Sequence, residues 1–332
     1  LSMLHMGRGV FGVDFGSVAF VIKNSFSNEK SGTYFRLYQR TFQYIELSDI
    51  EQLYLNAMND ESYRFNFYKY NNNEIDEDSP LNISMKIRFV ANQKDFEKVP
   101  TSPFAYWCSK SLLSSFEKNK LVDYATPRQG LATTDNNRFL RFWYEIDFNR
   151  CNFKCNNTQE ALESKFKWFP IVKGGHYRKW YGNNSYIVDW SYEGRKIKEY
   201  PGSSFRNANF QLKEGGTYSA LSNNFAVRYS PKGFAFDSKG TMFFSSNLNS
   251  VMAYLNSNLF TTLASYVCPT LDFRFGTIQL LPDLSIDMDV SGLIEVCKKD
   301  WDSYEESWDF IRHPLVVKDR RIHTIKEAFL EW

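Results

Sequence analysis

Lys165-Phe-Lys-Trp-Phe-Pro-Ile-Val-Lys-Gly-Gly-His-Tyr-Arg-Lys-Trp-Tyr-Gly-Asn-Asn-Ser-Tyr186 combines cations, aromatic rings, side-chain amides and three glycines in one segment. This mixture is suited to contact with phosphates and bases and poorly suited to filling a core. The segment is therefore predicted to be a loop of a recognition domain that faces nucleic acid.

The composition of the whole chain is that of a folded protein with a nearly balanced charge. At 332 residues it is long enough for one large or two ordinary domains, and 43% hydrophobic and 17% aromatic residues exclude a disordered polymer. The formal charge is only +2, so any attraction to nucleic acid must be local. Residues 165–215 hold ten basic and four acidic residues, whereas residues 283–309 hold two basic and nine acidic residues.

Cysteine usage and hydropathy indicate the cellular compartment of the protein. The five cysteines lack paired Cys-x-x-Cys spacing, which disfavours a zinc site and favours reduced thiols. No apolar run reaches 18 residues and no leader is recognisable, which predicts a cytoplasmic protein without a membrane partner. Because the chain begins without Met and its first residues resemble interior structure, we expect a piece of a longer protein.

Periodicity predicts a mixture of strands and helices without internal repeats. Runs at 16–23 and 33–40 are expected to pair as a hairpin at the edge of a larger sheet. Further strands are predicted at residues 140–146, 186–190, 225–229, 234–236, 241–244 and 277–281. Helices are predicted at residues 47–59, 109–120 and 246–267, from residue 291, and at residues 322–332. The first helix is expected to bury Leu53, Leu55 and Met58, with Ser48 as its cap.

Gly130-Leu-Ala-Thr-Thr-Asp-Asn-Asn-Arg138 places small polar side chains between a glycine and an aromatic run. Thr133, Thr134, Asn136 and Asn137 are candidates for contacts with phosphate oxygens or base edges, and Arg138 for a two-pronged contact. An ordinary hairpin turn would explain the same pattern.

The glycine pair Gly174-Gly175 is surrounded by Lys173, Arg178 and Lys179. The backbone could approach a phosphate closely there while the cations neutralise it. Further candidates for stacking or base contact are His176, Trp180, Tyr181, Asn183 and Asn184. A charged hairpin is an equally good explanation.

A third glycine-and-hydroxyl segment, Glu214-Gly-Gly-Thr-Tyr-Ser219, precedes a basic run. Thr217, Arg228 and Lys232 are its candidate DNA contacts, although a plain turn is the simpler explanation. The glycine-rich run Gly7–Gly16 precedes a strand and does not lead into a helix, unlike a phosphate cradle. No catalytic, cofactor-binding or metal-binding residue is predicted.

Several strings resemble the C-terminal half of the PglX adenine-specific DNA methyltransferases of the bacterial phage-defence system BREX. They include Met3-Leu-His-Met-Gly7, Ser102-Pro-Phe-Ala-Tyr-Trp107, Gln129-Gly-Leu-Ala-Thr-Thr-Asp-Asn-Asn-Arg-Phe139, Arg178-Lys-Trp-Tyr-Gly-Asn183 and Asp300-Trp-Asp-Ser-Tyr-Glu-Glu-Ser-Trp-Asp-Phe310. The resemblance implies an α/β (mixed α+β) fold in three parts. Residues 1–45 would be terminal strands of a Rossmann-like methyltransferase sheet, 46–121 a helical connector and 122–332 a mixed α/β target-recognition domain.

The same resemblance implies a role in antiviral, restriction-modification-like defence with double-stranded DNA as the partner. The Asn/Asp-Pro-Pro-Tyr/Phe motif and the loop for S-adenosylmethionine are missing. The fragment alone is therefore expected to be inactive, and S-adenosylmethionine to bind only the full-length parent. His176 stands where the family usually has an acidic residue.

Two other functions fit the sequence. The acidic residues 283–309, with Trp301, Tyr304 and Trp308, could dock a defence-system protein or a phage DNA-mimic inhibitor, or could simply form a solvated helix. Carbohydrate binding through exposed aromatic side chains is the third possibility, and it predicts binding that is insensitive to salt.

Overall fold

The computed structural model describes residues 2–13, 15–24, 31–39, 45–79, 81–222, 224–268, 272–284, 286–316 and 322–331. The chain divides into two compact units, one up to Lys118 and the other from Asn119. Both units combine helices and sheets, so the predicted mixed α+β class is confirmed. The three-part domain division, with boundaries near residues 45 and 121, stays a prediction.

The first unit is built on one mixed sheet. Its elements are β1 (Ser2–Arg8), β2 (Gly16–Val21), β3 (Ser31–Arg36), α1 (Leu47–Asn59), β4 (Arg64–Phe65), β5 (Met85–Lys86), β6 (Arg88–Asn92) and α2 (Lys110–Ser115). Among the described residues the sheet order is β2-β1-β3-β6, and β4 pairs with β5 in a separate ribbon. β1 runs antiparallel to β2 and parallel to β3.

The predicted hairpin between residues 16–23 and 33–40 is wrong, although both strands exist. β1 lies between them, with Ser2 opposite Val21 on one side and opposite Thr33 on the other. The pairing was missed because β1 carries few strongly apolar residues and was not recognised as a strand. The glycine-rich run therefore follows a strand after all, but it leads into β2 and not into a helix.

Helix α1 has the predicted bounds but a different buried face. Ile50, Leu53 and Ala57 are buried, whereas Leu55 and Met58 are 44% and 46% exposed. The predicted Ser48 cap is also wrong, because the helix begins directly after Glu46 and has no side-chain cap. In α2, which is shorter than predicted, the Ser109 hydroxyl accepts a hydrogen bond from Leu112 N at 3.3 Å.

The second unit contains two four-stranded sheets within the described ranges, ordered β13-β9-β10-β8 and β12-β11-β14-β7. Its strands are β7 (Thr126–Arg128), β8 (Leu140–Phe142), β9 (Trp168–Val172), β10 (Tyr186–Asp189), β11 (Gly215–Ser219), β12 (Val227–Ser230), β13 (Ala235–Phe236) and β14 (Gly240–Phe244). Its helices are α3 (Asn136–Phe139), α4 (Thr158–Glu163), α5 (Ser191–Lys198), α6 (Leu248–Leu255), α7 (Asn258–Val267), α8 (Phe275–Ile278), α9 (Ser291–Trp301) and α10 (Ile325–Glu331).

Two inner strands come from segments that were predicted to be loops. β9, inside the stretch 165–186, is buried at all five residues, and so is β11 in the third glycine segment. Strands that are covered on both faces lack the alternation of apolar and polar residues that marks a half-exposed strand. The two loop predictions are therefore wrong over these ranges.

The remaining predicted elements are mostly present with shifted ends. Strands β10, β12, β13 and β14 and helices α9 and α10 match their predictions, whereas 140–146 is a strand only as far as Phe142. The predicted strand at 277–281 is wrong, because α8 occupies its start. Pro269, which from the sequence is expected to end the long helix 246–267, lies outside the described residues.

The predicted long helix 246–267 is two helices, α6 and α7, which break at Asn256. The buried side chain of Asn256 makes two hydrogen bonds to Val227 in β12: Oδ1 accepts from Val227 N at 2.9 Å and Nδ2 donates to Val227 O at 3.0 Å. Ser257 then caps α7 by accepting from Phe260 N. The chain is therefore attached to the sheet, through the hydrogen bonds to β12, at the residue where the helix is interrupted.

Cys151, Cys155 and Cys268 are buried, and Cys108 and Cys297 are partly exposed. Burial, followed by the nearby Asp147 carboxylate, raises the pKa of the Cys151 thiol to about 11. In the part of the chain that the structure describes, no group of three or more His, Cys, Asp or Glu side chains is arranged to hold a metal. No described helix has the length and apolarity needed to cross a membrane.

Candidate nucleic-acid interface

The motif Gly130–Arg138 does not form the ordinary turn that was its alternative explanation. Asn136 to Phe139 form the one-turn helix α3, which Asp135 caps by accepting a hydrogen bond from Arg138 N at 3.0 Å. The short helix leaves the side chains of Asn136 and Asn137 exposed just before strand β8.

The first two predicted loops meet at Lys173, which follows the end of β9. Its Nζ atom lies 3.0 Å from Oδ1 of Asn136 and 3.2 Å from Oδ2 of Asp237. The hydroxyl of Thr133 donates to the same Asn136 oxygen at 2.7 Å. The two segments are separated by some 37 residues in sequence, and this contact brings them into one site.

Asp237 holds Lys173 in place from the protein interior. Asp237 is only 5% exposed. Its Oδ1 atom accepts hydrogen bonds from Lys239 N at 2.7 Å and from Gly240 N at 2.9 Å. A buried carboxylate that is hydrogen-bonded in this way fixes the ammonium beside it. The Lys173 side chain keeps 21% of its surface exposed.

An aromatic ladder lies next to the meeting point of the loops. Phe142 in β8 is directly opposite Tyr186 in β10, and their ring centroids are 4.6 Å apart with planes tilted by 28°. Tyr144 also stacks on Phe142, with ring centroids 5.3 Å apart and planes tilted by 3°, and it is 60% exposed. These rings were not predicted to be part of a site, although the aromatic run 142–144 was a usable signal.

These groups line an open groove of about 490 Å³, which we call the Lys173 groove. Its lining residues are Asn136, Asn137, Leu140, Arg141, Phe142, Glu145, Lys173 and Tyr186. Arg141 is fixed by hydrogen bonds from its guanidinium to the backbone oxygens of Asn137 and Leu140. The groove thus combines cations, amides, one carboxylate and flat aromatic rings.

Arg178 and Lys179 lie elsewhere in the second unit. Arg178 forms an ion pair with Asp300 at 3.3 Å, and its guanidinium lies 5.1 Å from the ring centroid of Trp301. Lys179 donates to the backbone oxygen of Asn256 at 2.7 Å. A second pocket of about 500 Å³ is lined by Arg178, Trp301, Ser303, Tyr304, Glu305, Glu306, Phe310 and His313.

Five predicted contact residues are buried, so they cannot contact a partner directly in this fold. Thr133, Tyr181, Asn184, Thr217 and Arg228 are between 1% and 6% exposed. Thr217 lies in β11 and Arg228 in β12, where their side chains face other protein groups. Burial, together with the nearby Arg178, lowers the pKa of Arg228 to about 10, and burial raises the pKa of Tyr181 to about 12.

The remaining predicted residues do not line the groove. Asn183 donates its side-chain amide to the backbone oxygen of His176 at 2.8 Å, so this donor closes the loop and is not available for a base. Arg138 is exposed, and its guanidinium lies 5.0 Å from the ring centroid of Tyr200. Thr134 and Lys232 are exposed, whereas Asn184 is buried.

Two tryptophans of the acidic stretch 283–309 pack against other parts of the second unit. Trp301 is 4% exposed, and Trp308 stacks on Phe153 at 4.6 Å. Lys298 forms ion pairs with Asp302 and Asp309. The stretch is therefore neither a fully solvated helix nor a patch of exposed tryptophans.

Comparison with known proteins identifies relatives of this chain. No protein-family model matches it. It is 34% identical over 272 residues, 76% of its length, to the adenine-specific methyltransferase PglX of Lacticaseibacillus casei (strain Zhang). It is 31% identical over 331 residues, 95% of its length, to the adenine-specific methyltransferase BrxX of Escherichia coli O9:H4 (strain HS). The matched regions are 22% and 24% of those two proteins. Over this quarter of their length, the chain belongs to the family of adenine-specific methyltransferases that includes PglX and BrxX.

Proposed function

We propose that the second unit recognises double-stranded DNA for an N6-adenine methyltransferase of a phage-defence system. The observation that carries this proposal is the Lys173 groove, where two sequence-distant polar loops meet beside the partly buried aromatic rings of Phe142 and Tyr186. Lysine and arginine neutralise phosphates, and side-chain amides contact phosphates or base edges. The kinship with two adenine-specific methyltransferases supports the same role.

In this proposal the chemistry lies outside the chain described here. The adenine-binding motif and the methyl-donor loop are absent from the sequence. S-adenosylmethionine would bind the full-length parent, and the second unit would select the DNA that reaches the catalytic part, within the cytoplasm.

The test is the salt dependence of binding to duplex DNA. We expect the 332-residue chain to bind at low ionic strength, with an affinity that falls as salt rises. Lys173→Met removes one cation from the groove, so the slope of log K against log salt should shrink by about 1. Lys299→Met is the matched control, because Lys299 lies in the acidic stretch and pairs with Glu295 at 3.0 Å.

Two outcomes would contradict the proposal. One is the absence of salt-dependent duplex binding at low ionic strength even at high micromolar protein. The other is an equal effect of Lys173→Met and Lys299→Met, because the loss would then reflect net charge and not the groove.

A protein-docking role for residues 283–309 has less support. Two of its three aromatic side chains, Trp301 and Trp308, pack against the second unit. Tyr304 is 45% exposed and lines the second pocket, and it is the one aromatic side chain of the three that is left for docking. We therefore keep DNA recognition as the proposed function.

A further inference from the structure

Three consecutive residues inside α5 have a left-handed backbone. Their φ and ψ angles are 51° and 51° at Tyr192, 56° and 38° at Glu193, and 71° and 24° at Gly194. Left-handed residues normally occur singly and are mostly glycine or asparagine, because a Cβ atom crowds the following carbonyl oxygen in this conformation. The fold therefore holds a tyrosine and a glutamate in this turn at a cost in free energy.

Contacts with the rest of the second unit fix both ends of this left-handed turn. Asp189, at the end of β10, is 5% exposed, and its Oδ1 atom accepts hydrogen bonds from Ser191 N at 3.2 Å and from Ser191 Oγ at 2.6 Å. Gly194 N donates to Trp190 O at 3.1 Å. A Cβ atom at Gly194 would lie 2.8 Å from the ring of Phe205, so the turn packs closely at this end.

The side chain of Tyr192 takes no part in holding the turn. It is 77% exposed, and among the described residues it makes no hydrogen bond and no ring contact. Asparagine would adopt the same backbone conformation with less strain. An exposed ring on a strained and firmly held support is typical of a residue that contacts a ligand.

Cations lie close to the turn. Lys167 and Lys196 each place Nζ 3.4 Å from Oδ2 of Asp189, and 37% and 57% of their side chains are exposed. Because the carboxylate of Asp189 is buried, its two lysines present positive charge to the solvent. Arg195, whose side chain is 70% exposed, pairs with the exposed Glu199 at 2.7 Å.

These features suit nucleic acid better than a protein partner. The centre of a protein interface is apolar, whereas the sequence neighbours of Tyr192 include Ser191, Glu193 and Arg195, which are polar or charged. Nucleic acid combines phosphates, which lysine and arginine neutralise, with base faces, on which aromatic side chains stack. Side chains can also enter a base step of a duplex that they open.

We propose that the left-handed turn 192–194 presents Tyr192 as a residue that stacks on a DNA base, with Lys167 and Lys196 near the phosphates. The inference rests on the proposed function and deepens it, because it adds a base-contacting ring outside the Lys173 groove. It implies a trade-off in which the tyrosine weakens the fold and strengthens binding to DNA.

The variant Tyr192→Asn tests this trade-off in the 332-residue chain. Asparagine tolerates the left-handed conformation, so the midpoint of urea unfolding should rise. The affinity for duplex DNA should fall about tenfold, as expected for the loss of one base–aromatic stack. The slope of log K against log salt should stay unchanged, because no charge is removed. Tyr192→Phe keeps the ring and should keep the affinity of the wild type.

A duplex with one central abasic site tests stacking directly, because it offers a base step that is already opened. The wild type should bind it more tightly than the intact duplex, since opening a step costs free energy. Tyr192→Asn should lose this preference. A preference that is equal in both proteins would overturn the inference.

Glu193→Asn is the matched control, because it relieves the same kind of backbone strain at the next residue and removes a carboxylate instead of a ring. It should also raise the unfolding midpoint, and it should not weaken binding to DNA. Polyglutamate is the second control, since it is an anionic polymer without bases. Tyr192→Asn should leave any binding of polyglutamate unchanged.

Three further outcomes would each overturn the inference. They are equal affinity of the wild type and Tyr192→Asn for duplex DNA, a lower unfolding midpoint in Tyr192→Asn, and an equal loss of DNA binding in Glu193→Asn. A matching loss of polyglutamate binding in Tyr192→Asn would also overturn it and would indicate a surface for acidic proteins. Failure of the proposed function is a different result, namely a wild type without salt-dependent binding to duplex DNA.

Discussion

The carboxylate of Asp237 connects the turn that follows β13 with the cation of the groove. It pairs with Lys173 and accepts hydrogen bonds from two backbone amides while it is almost completely buried. Asp237→Asn preserves the acceptor for the backbone amides but removes the charge that Lys173 faces. We expect a loss of about 1–3 kcal/mol in the free energy of unfolding, measured with urea.

The control for this prediction removes the cation instead. Lys173→Met combined with Asp237→Asn should cost less than the sum of the two single changes, because the two groups stabilise each other. Strict additivity in this double-mutant cycle would show that the interaction between Lys173 and Asp237 contributes nothing to the free energy of unfolding.

His5 in β1 makes the stability of the first unit depend on pH. Its Nδ1 lies 3.0 Å from the Tyr106 hydroxyl, and burial, with the nearby Arg36, lowers its pKa from 6.5 to about 4. Between these two pH values the unfolded chain takes up a proton that the folded chain does not. The stabilisation is therefore complete above pH 6.5 and declines towards pH 4, by about 2–3 kcal/mol.

The variant His5→Phe should remove this part of the acid dependence, since a ring without a titratable nitrogen occupies the same aromatic surroundings. His323→Phe, at an exposed position of the second unit, should leave it unchanged. Unfolding midpoints in urea from pH 4 to pH 8 test both expectations, and an unchanged pH profile in His5→Phe would disprove the assignment.

At the scale of elements, the break between α6 and α7 depends on one side chain. Asn256→Ala removes both hydrogen bonds to Val227 and leaves the buried Val227 N–H without an acceptor, whereas Val227 O keeps the hydrogen bond from Trp180 N at 2.8 Å. One unsatisfied buried donor costs about 1–3 kcal/mol, so we expect a loss of that size in the free energy of unfolding, measured with urea.

Asn256→Asp keeps the acceptor for Val227 N and loses only the donor, although it also buries a charge. Thr262→Ala, at an exposed position of α7, is the control that should cost less than about 1 kcal/mol. Equal stability of Asn256→Ala and the control would show that the break does not depend on this attachment.

Some elements could be predicted from the sequence and others could not. Helices with one exposed face, such as α1 and α9, were predictable from apolar periodicity. Strands β9 and β11 were not, because a segment covered on both faces resembles a loop when it contains glycine and aromatic residues. The composition of such segments is shared by cores and by binding loops.

The glycine of the motif Gly130–Arg138 illustrates the same ambiguity within the candidate site. The polar side chains that follow it predict a loop that contacts phosphates or bases, whereas a Cβ atom at Gly130 itself would lie 2.0 Å from the backbone oxygen of Phe236. The glycine is required by packing between two chain segments. Asn136, Asn137 and Lys173 could be predicted from chemistry alone, whereas the aromatic wall depends on the pairing of β8 with β10.

At the scale of the whole molecule, the second unit should fold without the first. Its first residues are held inside it, since Asp283 N donates to Asn119 O at 2.8 Å and Leu121 N donates to Leu281 O at 2.8 Å. A fragment of residues 119–332 should therefore unfold cooperatively in urea, with one of the transitions of the complete chain.

A fragment that starts at Thr126 provides the comparison. It lacks the segment that bonds to Leu281 and Asp283, so its midpoint should be lower. If both fragments unfold at the same denaturant concentration, the segment 119–125 does not belong to the cooperative unit.

The buried Cys151 thiol allows local opening of the second unit to be measured from its alkylation rate. With a pKa of about 11, about one thiol in a thousand is ionised at pH 8, and the thiolate is the form that alkylating reagents attack. Cys151 packs against Trp168 of β9, so reagent reaches it when this part of the sheet opens. The rate of its alkylation therefore reports how often the sheet opens around Cys151 and Trp168.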